Sequence, residues 1–203
     1  RHQNFQEAVK SGEFDLFVCL DISKLSRISQ VEDLSAPLLI KTINIDHHLT
    51  NTNFGELNLV EGRLSSTAEL IYRIFTEVDP AIIDKDIAAC LYTGIWSDSV
   101  GFRSLDTTAE TYSIAADLID RGVNFQKIIS TLTTIKFKFQ KIMGYAFSHA
   151  KQYFNQELLL TKIPYQVFMD LNISGSEIGE AKEVMTYYMS QNEEAAIACV
   201  IYE

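Results

Sequence analysis

LLIKTINIDHHLT, residues 38–50, decides how this chain is read. An apolar run closes on an aspartate and two adjacent histidines, in a protein that has only 4 histidines in all. An apolar run that turns polar only at its tip is the pattern of a parallel strand buried on both faces. FDLFVCLD (14–21) has the same build and the same acidic ending, and NLVEG (58–62) reads as a shorter third strand. The polar stretch Ile22–Pro37 leaves room for a crossover between the first two.

Helical periodicity takes over downstream. SSTAELIYRIFTEV (65–78) spaces Leu70, Ile71, Ile74, Phe75 and Val78 along one face, and Ser66 with Glu69 forms a capping box. Pro80 restarts a helix after Asp79, mostly buried and ending near Ser97. After the loop DSVGFRSLD, a second box, Thr107 with Glu110, opens a helix that runs to Arg121 and stops at Gly122. From Ile128 to about Tyr153 a long helix or helix pair carries the basic stretch KFKFQK (136–141), read as an amphipathic interdomain helix. ELLLTKI (157–163) is a strand, GSEIGEAKEVMTYYMSQ (175–191) holds a helix, and AAIACVIYE (195–203) is a last strand. The expected fold class is α/β: a Rossmann-like, mainly parallel sheet in residues 1–127, a helical linker over 128–153, and part of a second α/β domain over 154–203.

The composition, 47% hydrophobic and 22% charged over 203 residues, is that of a globular protein with a real core. Nothing approaches the ~20 apolar residues of a membrane helix, and no signal-like segment opens the chain, so a cytoplasmic protein is expected. A net charge of −10 disfavours a general nucleic-acid coat but leaves open a small phosphorylated ligand held through metal ions. Cys19, Cys90 and Cys199 lie far apart in apolar stretches with no Cys-x-x-Cys pair, so they are expected to be buried thiols.

In a doubly wound sheet, ligands bind at the carboxyl edge of the strands. Asp21, Asp46, His47 and His48 fall on that edge. Because successive side chains of an extended strand point to opposite sides, His47 and His48 are not expected to ligate one ion together. A mixed Asp/His set suits Mn²⁺, Fe²⁺ or Zn²⁺ better than Mg²⁺ or Ca²⁺. Taken singly, each residue has an ordinary explanation. Asp21 and Asp46 can be caps or turn residues, Ser66 and Glu69 are accounted for by capping, Asp98 can be a loop carboxylate and Arg103 a solvated side chain. His2 and His149 fit no motif and read as surface or linker residues.

Taken together they resemble a family. Ile-Asp-His-His (45–48), the strand ending in Asp21, Ser-Ser-Thr-Ala-Glu-Leu-Ile-Tyr (65–72) and Gly-Ile-Trp-Ser-Asp-Ser (94–99) with Phe102-Arg103 resemble the DHH phosphoesterase family. The arrangement is most similar to its bacterial NrnA type, which degrades very short RNA and dephosphorylates pAp. The resemblance implies two Mn²⁺ ions, with Asp21 bridging them, His47 and Asp98 on the second, and His48 on the phosphate. It implies that Asp46 orients a histidine, that Ser66 and Arg103 meet substrate, and that 154–203 is part of a substrate-binding domain. A homodimer is left open. Cyclic-dinucleotide phosphodiesterase, RecJ-like exonuclease, pyrophosphatase and a non-catalytic nucleotide-binding paralogue are the rival readings on the same fold.

Three departures qualify the resemblance. The family's His-x-x-Pro-Asp-x-Asp motif and its Gly-Gly-Gly-His segment do not occur, and Val100 stands where the family usually has glycine. The expectation is therefore a piece of a longer enzyme that holds about half of a two-metal site and is weakly active or inactive alone.

Overall fold

The computed structural model describes residues 13–28 and 40–202, which form two compact units divided between Leu132 and Thr133. Most of the crossover expected between the first two strands, and His2, lie outside the described residues. Unit 1 opens with a parallel sheet of β1 (Leu16–Leu20), β2 (Lys41–Asp46) and β3 (Leu57–Val60), in that spatial order. Helices α1 (Thr67–Val78), α2 (Lys85–Asp98), α3 (Ala109–Asp120) and α4 (Phe125–Thr133) follow. Unit 2 holds α5 (Phe137–His149), β4 (Lys151–Tyr153), β5 (Leu158–Ile163), α6 (Tyr165–Asp170), α7 (Gly175–Met189) and β6 (Ile197–Tyr202). Its sheet runs β4-β5-β6, antiparallel then parallel. The expected α/β class, with a parallel sheet at the first strand tips, is what the chain adopts. Among the described residues no helix is long and apolar enough to cross a membrane.

The strands of unit 1 are half-buried rather than buried on both faces. Leu16, Val18 and Leu20 of β1 pair in register with Lys41, Ile43 and Ile45, and the last two pair with Leu57 and Leu59. These residues share one face, and Leu16, Val18, Leu20, Leu57 and Leu59 are exposed on it. The opposite face carries Cys19, Thr42, Asn44 and Asp46, all buried. An apolar run cannot by itself tell a strand covered on both sides from one covered on a single side, because the covering element lies elsewhere in sequence.

The helix boundaries have local causes. Ser66 caps α1 by accepting from the Glu69 N–H. Asp79, held extended by the Pro80 that follows it, ends α1 and caps the short 3₁₀ turn Pro80–Ile82. Asp84 then caps α2 through two backbone N–H groups. The box of α3 lies one residue later than expected: Thr108 is the cap and Thr111, not Glu110, is its partner, because Thr111 faces the interior where its hydroxyl is also held. Gly122, at φ +95°, ends that helix in the left-handed conformation glycine tolerates.

The core of unit 1 lies among its helices, around Tyr92, Ile95, Ile114 and Leu118. That of unit 2 is built on Phe139, Ile142, Ile163, Phe168, Met185 and Met189. The 128–153 segment is a helix pair that ends in strand β4, and Phe139, Ile142 and Ala146 bury α5 in the core of unit 2. That burial makes α5 part of unit 2. KFKFQK therefore divides by face: Phe139 is inside, whereas Phe137 is exposed beneath the Lys141 ammonium. The three cysteines are free, but only Cys19 is buried, with its thiol pushed up to about 11 by burial. Cys90 is exposed because it occupies the solvent side of α2, a helical period that the local run IAACLY does not reveal.

Candidate functional site

The tip of β1 supplies the first carboxylate. Asp21 follows the strand directly, and its N–H donates to Ile45 O, which extends the pairing with β2 by one residue. Its φ of +61° is left-handed, a conformation aspartate tolerates better than most residues. Its Oδ1 accepts from Thr67 Oγ1 at 2.9 Å, which ties the strand tip to the first residue of α1.

Asp46 ends β2 and is wholly buried. His48 Nδ1 donates to its Oδ1 at 2.7 Å, and Asn51 Nδ2 donates to its Oδ2. Burial pushes the Asp46 carboxyl up, but the hydrogen bonds from His48 and Asn51 outweigh it and hold the pKa below the ordinary value. Asn51 also bonds Asn44 Oδ1 and Ile22 O, so it links the loops after both strands.

The two histidines lie beyond the strand, which ends at Asp46, so the alternation expected of extended backbone does not apply to them. Their rings lie 4.7 Å apart, and Asp21, His47 and His48 bring one ligand atom each within 4.8 Å of one another. His47 Nδ1 donates to Leu64 O at 3.0 Å, and a carbonyl can only accept. Its other nitrogen, Nε2, lies 2.9 Å from Asp98 Oδ2 and 3.6 Å from Asp21 Oδ1. Acceptors at both ring nitrogens favour the doubly protonated ring. The hydrogen bond to Asp98, with help from Leu64 O and the charges of Asp98 and Asp21, raises His47 to about 9 against the opposing effect of burial.

Asp98 is the last residue of α2, not a loop residue. Gly94, one turn earlier, lets this helix approach α1 closely: a Cβ there would lie 2.7 Å from the Ala68 Cβ. Beyond Asp98 the chain turns through Val100, Gly101 and Phe102, all at positive φ, a turn closed by Phe102 N–H to Ser99 Oγ. Arg103 Nε donates to Val100 O in the same loop. A cavity of about 380 Å³ opens beside the carboxylates, with Leu20, Ala68, Ile71 and Gly94 forming its apolar wall and Asp21, Ser66, Thr67 and Asp98 its polar one.

Of the residues singled out in the sequence, the fold brings Asp21, Asp46, His47, His48 and Asp98 into one cluster, with Ser66 on the adjoining cavity. Arg103 is tied to its own loop. Thr67, Asn51 and the Leu64 carbonyl were not anticipated. A threonine at a helix start and an asparagine in a turn carry no signal of their own, and a backbone carbonyl carries none at all.

Residues 1–95 match the model of the DHH family, N-terminal domain. Residues 1–95 thus carry the N-terminal domain of the DHH family. The chain is 30% identical over 149 residues to the "Bifunctional oligoribonuclease and PAP phosphatase NrnA" of Thermus thermophilus, a match covering 72% of this chain and 44% of that protein. It is 29% identical over 140 residues to the "Probable bifunctional oligoribonuclease and PAP phosphatase NrnA" of Streptococcus mutans, covering 69% and 44%. The chain thus spans less than half the length of these curated relatives. The crystal structure of an exopolyphosphatase-related protein from Bacteroides fragilis superposes with a TM-score of 0.88 at 26% identity, covering all of this chain and 59% of that one. The DHH tripeptide that names the family is Asp46-His47-His48, the centre of the cluster.

The donor set fits a divalent ion. His47 is fixed through Nδ1, which assigns Nε2 to the site, and the bond to Asp46 holds the His48 ring in place beside it. Hydrogen bonds of this kind to the far nitrogen are how metal-binding histidines are held. Two carboxylates and two imidazoles are the ligands expected for Mn²⁺-like or Zn²⁺-like ions.

Proposed function

We propose that the protein is a cytosolic, metal-dependent phosphoesterase that hydrolyses short oligoribonucleotides and pAp, using two divalent ions of the Mn²⁺ type. The observation that supports this reading best is the meeting of Asp21, His47, His48 and Asp98 at a strand edge, backed by buried hydrogen bonds and opening on a cavity. Unit 1 is then the catalytic domain and unit 2 part of the substrate-binding domain.

In this reading Asp21, His47 and Asp98 hold metal. Bound ions of this kind neutralise charge on the attacked phosphate and lower the pKa of a water nucleophile to near neutrality. The protein's own part is orientation. Asp46, through Nδ1, presents the other nitrogen of His48 to a phosphate oxygen, and Thr67 fixes the Asp21 carboxylate. The N-terminus of α1, with Ser66 and Thr67 on the cavity, offers backbone N–H groups to an anion. Arg103 supplies a cation on the neighbouring loop, and the apolar wall of Leu20 and Ile71 suits the flat face of a base.

A substrate panel tests the proposal. With Mn²⁺, the protein in its natural full length is expected to cleave a two-nucleotide RNA and to release phosphate from pAp. Alanine at Asp21, His47 or Asp98 is expected to lower turnover by at least ~10³-fold without unfolding the chain. A protein that left both substrates intact while opening a cyclic dinucleotide or shortening polyphosphate would sink the substrate assignment. Full activity in any of the three variants would remove that residue from the metal set.

A further inference from the structure

Glu69 has the sequence position of an ordinary helix-start residue, yet its side chain does something else. In a capping box the glutamate at the third helical position reaches back to the N–H of the cap, here Ser66. The Glu69 carboxylate instead goes one residue further, accepting from Ser65 N at 3.3 Å and from Ser65 Oγ at 2.8 Å, both on Oε2. The same oxygen accepts from Thr111 Oγ1 of α3 at 3.2 Å, while Oε1 accepts from Arg73 Nη2 at 3.1 Å. Glu69 is 1% exposed. A capping carboxylate normally sits in water, where it costs nothing to keep charged, whereas a buried one is tolerated only when donors surround it. Helix initiation does not account for this burial, because Ser66 already caps α1.

The Ser65 N–H that Glu69 holds and the Leu64 carbonyl that His47 Nδ1 meets belong to one peptide group. That group is planar and trans, so its N–H and C=O point in opposite directions. Glu69 therefore lies against one edge of the plane and His47 against the other, in the order carboxylate, peptide, imidazole. Fixing the N–H edge removes the rotation that would carry the carbonyl away from His47. A negative charge at the N–H also polarises the peptide and makes its oxygen a stronger acceptor, as in any hydrogen-bonded chain. The usual carboxylate–histidine support of a metal ligand is direct. Here one peptide unit stands between the two.

We propose that Glu69 is a positioning residue for His47, acting through the Leu64–Ser65 peptide group and anchored in turn by Thr111 of α3. The proposal rests on the reading of His47 as a metal ligand only for its effect on metal affinity; its effect on the ring is independent of that reading.

The test uses this 203-residue chain and two readouts: Mn²⁺ affinity from the electron paramagnetic resonance of free Mn²⁺, and the His47 Nδ1–H followed by ¹H–¹⁵N spectroscopy without metal. Glu69→Gln cannot accept both from Ser65 and Thr111 and from Arg73. It is expected to weaken Mn²⁺ binding ~10- to 100-fold, the usual range for loss of a group that supports a ligand, and to speed exchange of the His47 Nδ1 proton. Thr111→Val, which removes one of the donors to Glu69 together with the acceptor for the Thr108 N–H at the start of α3, is expected to give a smaller change in the same direction and serves if the glutamine variant does not fold. Leu118→Ala, a buried core change on the same helix, lowers stability and is expected to alter neither readout. Unchanged Mn²⁺ affinity and an unchanged Nδ1 proton in folded Glu69→Gln or Thr111→Val overturn the proposal, as does an equal loss in Leu118→Ala. Absence of Mn²⁺ binding in the unsubstituted chain would refute the metal reading instead, and the Nδ1 proton would still judge Glu69.

Discussion

Around β2 and the start of α1, unit 1 buries Asn44, Asp46, Ser65, Ser66, Thr67 and Glu69, whereas among the described residues of unit 2 the one buried polar side chain is Thr161. Unit 2 keeps its charges outside. Lys136 and Lys138 pair with Glu177 and Glu180 on the surface, over a core of Phe, Ile and Met. Burying polar groups costs free energy unless every donor and acceptor is paired, so a unit that does so throughout one region is holding something in place there. The group held is the His47–His48 pair. Unit 2 shows what the same chain builds where the interior is filled almost wholly by apolar side chains.

The sharpest way to break this contrast is a cavity in unit 2. Phe168→Ala, at a site with no exposure, is expected to cost about 3–5 kcal/mol by denaturant unfolding of unit 2. Mn²⁺ binding, and the unfolding followed by Trp96 fluorescence in unit 1, are expected to be unchanged. A parallel fall in Mn²⁺ affinity would show that the site depends on the core of the other unit.

A polar change in unit 1 is expected to behave in the opposite way. Asp46→Asn keeps the volume but loses the charge that orients His48, and is expected to weaken Mn²⁺ binding ~10- to 100-fold, about 1.4–2.7 kcal/mol. Titration calorimetry measures this. If thermal stability fell sharply while affinity held, the buried polar network would be structural.

Backbone strain beside the site gives a smaller effect. Val100, a β-branched residue at φ +53°, occupies a left-handed position in the turn after α2. Val100→Gly is expected to raise stability by about 0.5–1 kcal/mol, the relief of the left-handed conformation less the entropy glycine adds to the unfolded chain. Chemical denaturation followed at Trp96 checks it. A loss of stability would mean that the exposed valine is packed more usefully than its conformation suggests.

A further contrast separates the units by pH, in the absence of metal. His47 is raised to about 9, chiefly by its bond to Asp98, from an ordinary 6.5. The folded state therefore binds the proton more tightly than the unfolded one, and this stabilisation, whole below about pH 6.5, is lost as the pH rises through about 9. Glu177 in unit 2 is held down to about 2 from 4.5, first by Lys138 and then by Ser174. Its contribution is whole above about pH 4.5 and is lost as the pH falls through about 2. Alkaline titration is expected to lower the melting temperature read at Trp96, and acid to lower that of unit 2 read by its amide resonances. His47→Gln is expected to remove the alkaline loss.

Much of the site could be read from the chain because its groups end elements that the sequence marks. Asp21 and Asp46 close apolar runs, Ser66 opens a capped helix, and Asp98 lies at the end of another. The placement of His47 beside His48 could not be read, since it depends on β2 ending one residue before the pair. Nor could the work of Glu69. A Ser-x-x-Glu spacing predicts a capping box, and only the arrival of Thr111 from α3 draws the carboxylate inward. Cys90 failed for a related reason: a short apolar run does not say which side of a helix faces water.

The sequence by itself determined the α/β class, the parallel strands with acidic tips, most helix starts and the family, because each of these is carried by residues close together in the chain. Only the tertiary structure decided which groups meet. His47 touches Leu64, Asp98 and Asp21 across separations of 17, 51 and 26 residues, and Thr67 reaches Asp21 across 46. Such contacts have no local signature, since the pairing of strands and the close approach of α1 to α2 at Gly94 create them. The same distance effect turned Glu69 from a helix cap into a buried support for the histidine at the centre of the site.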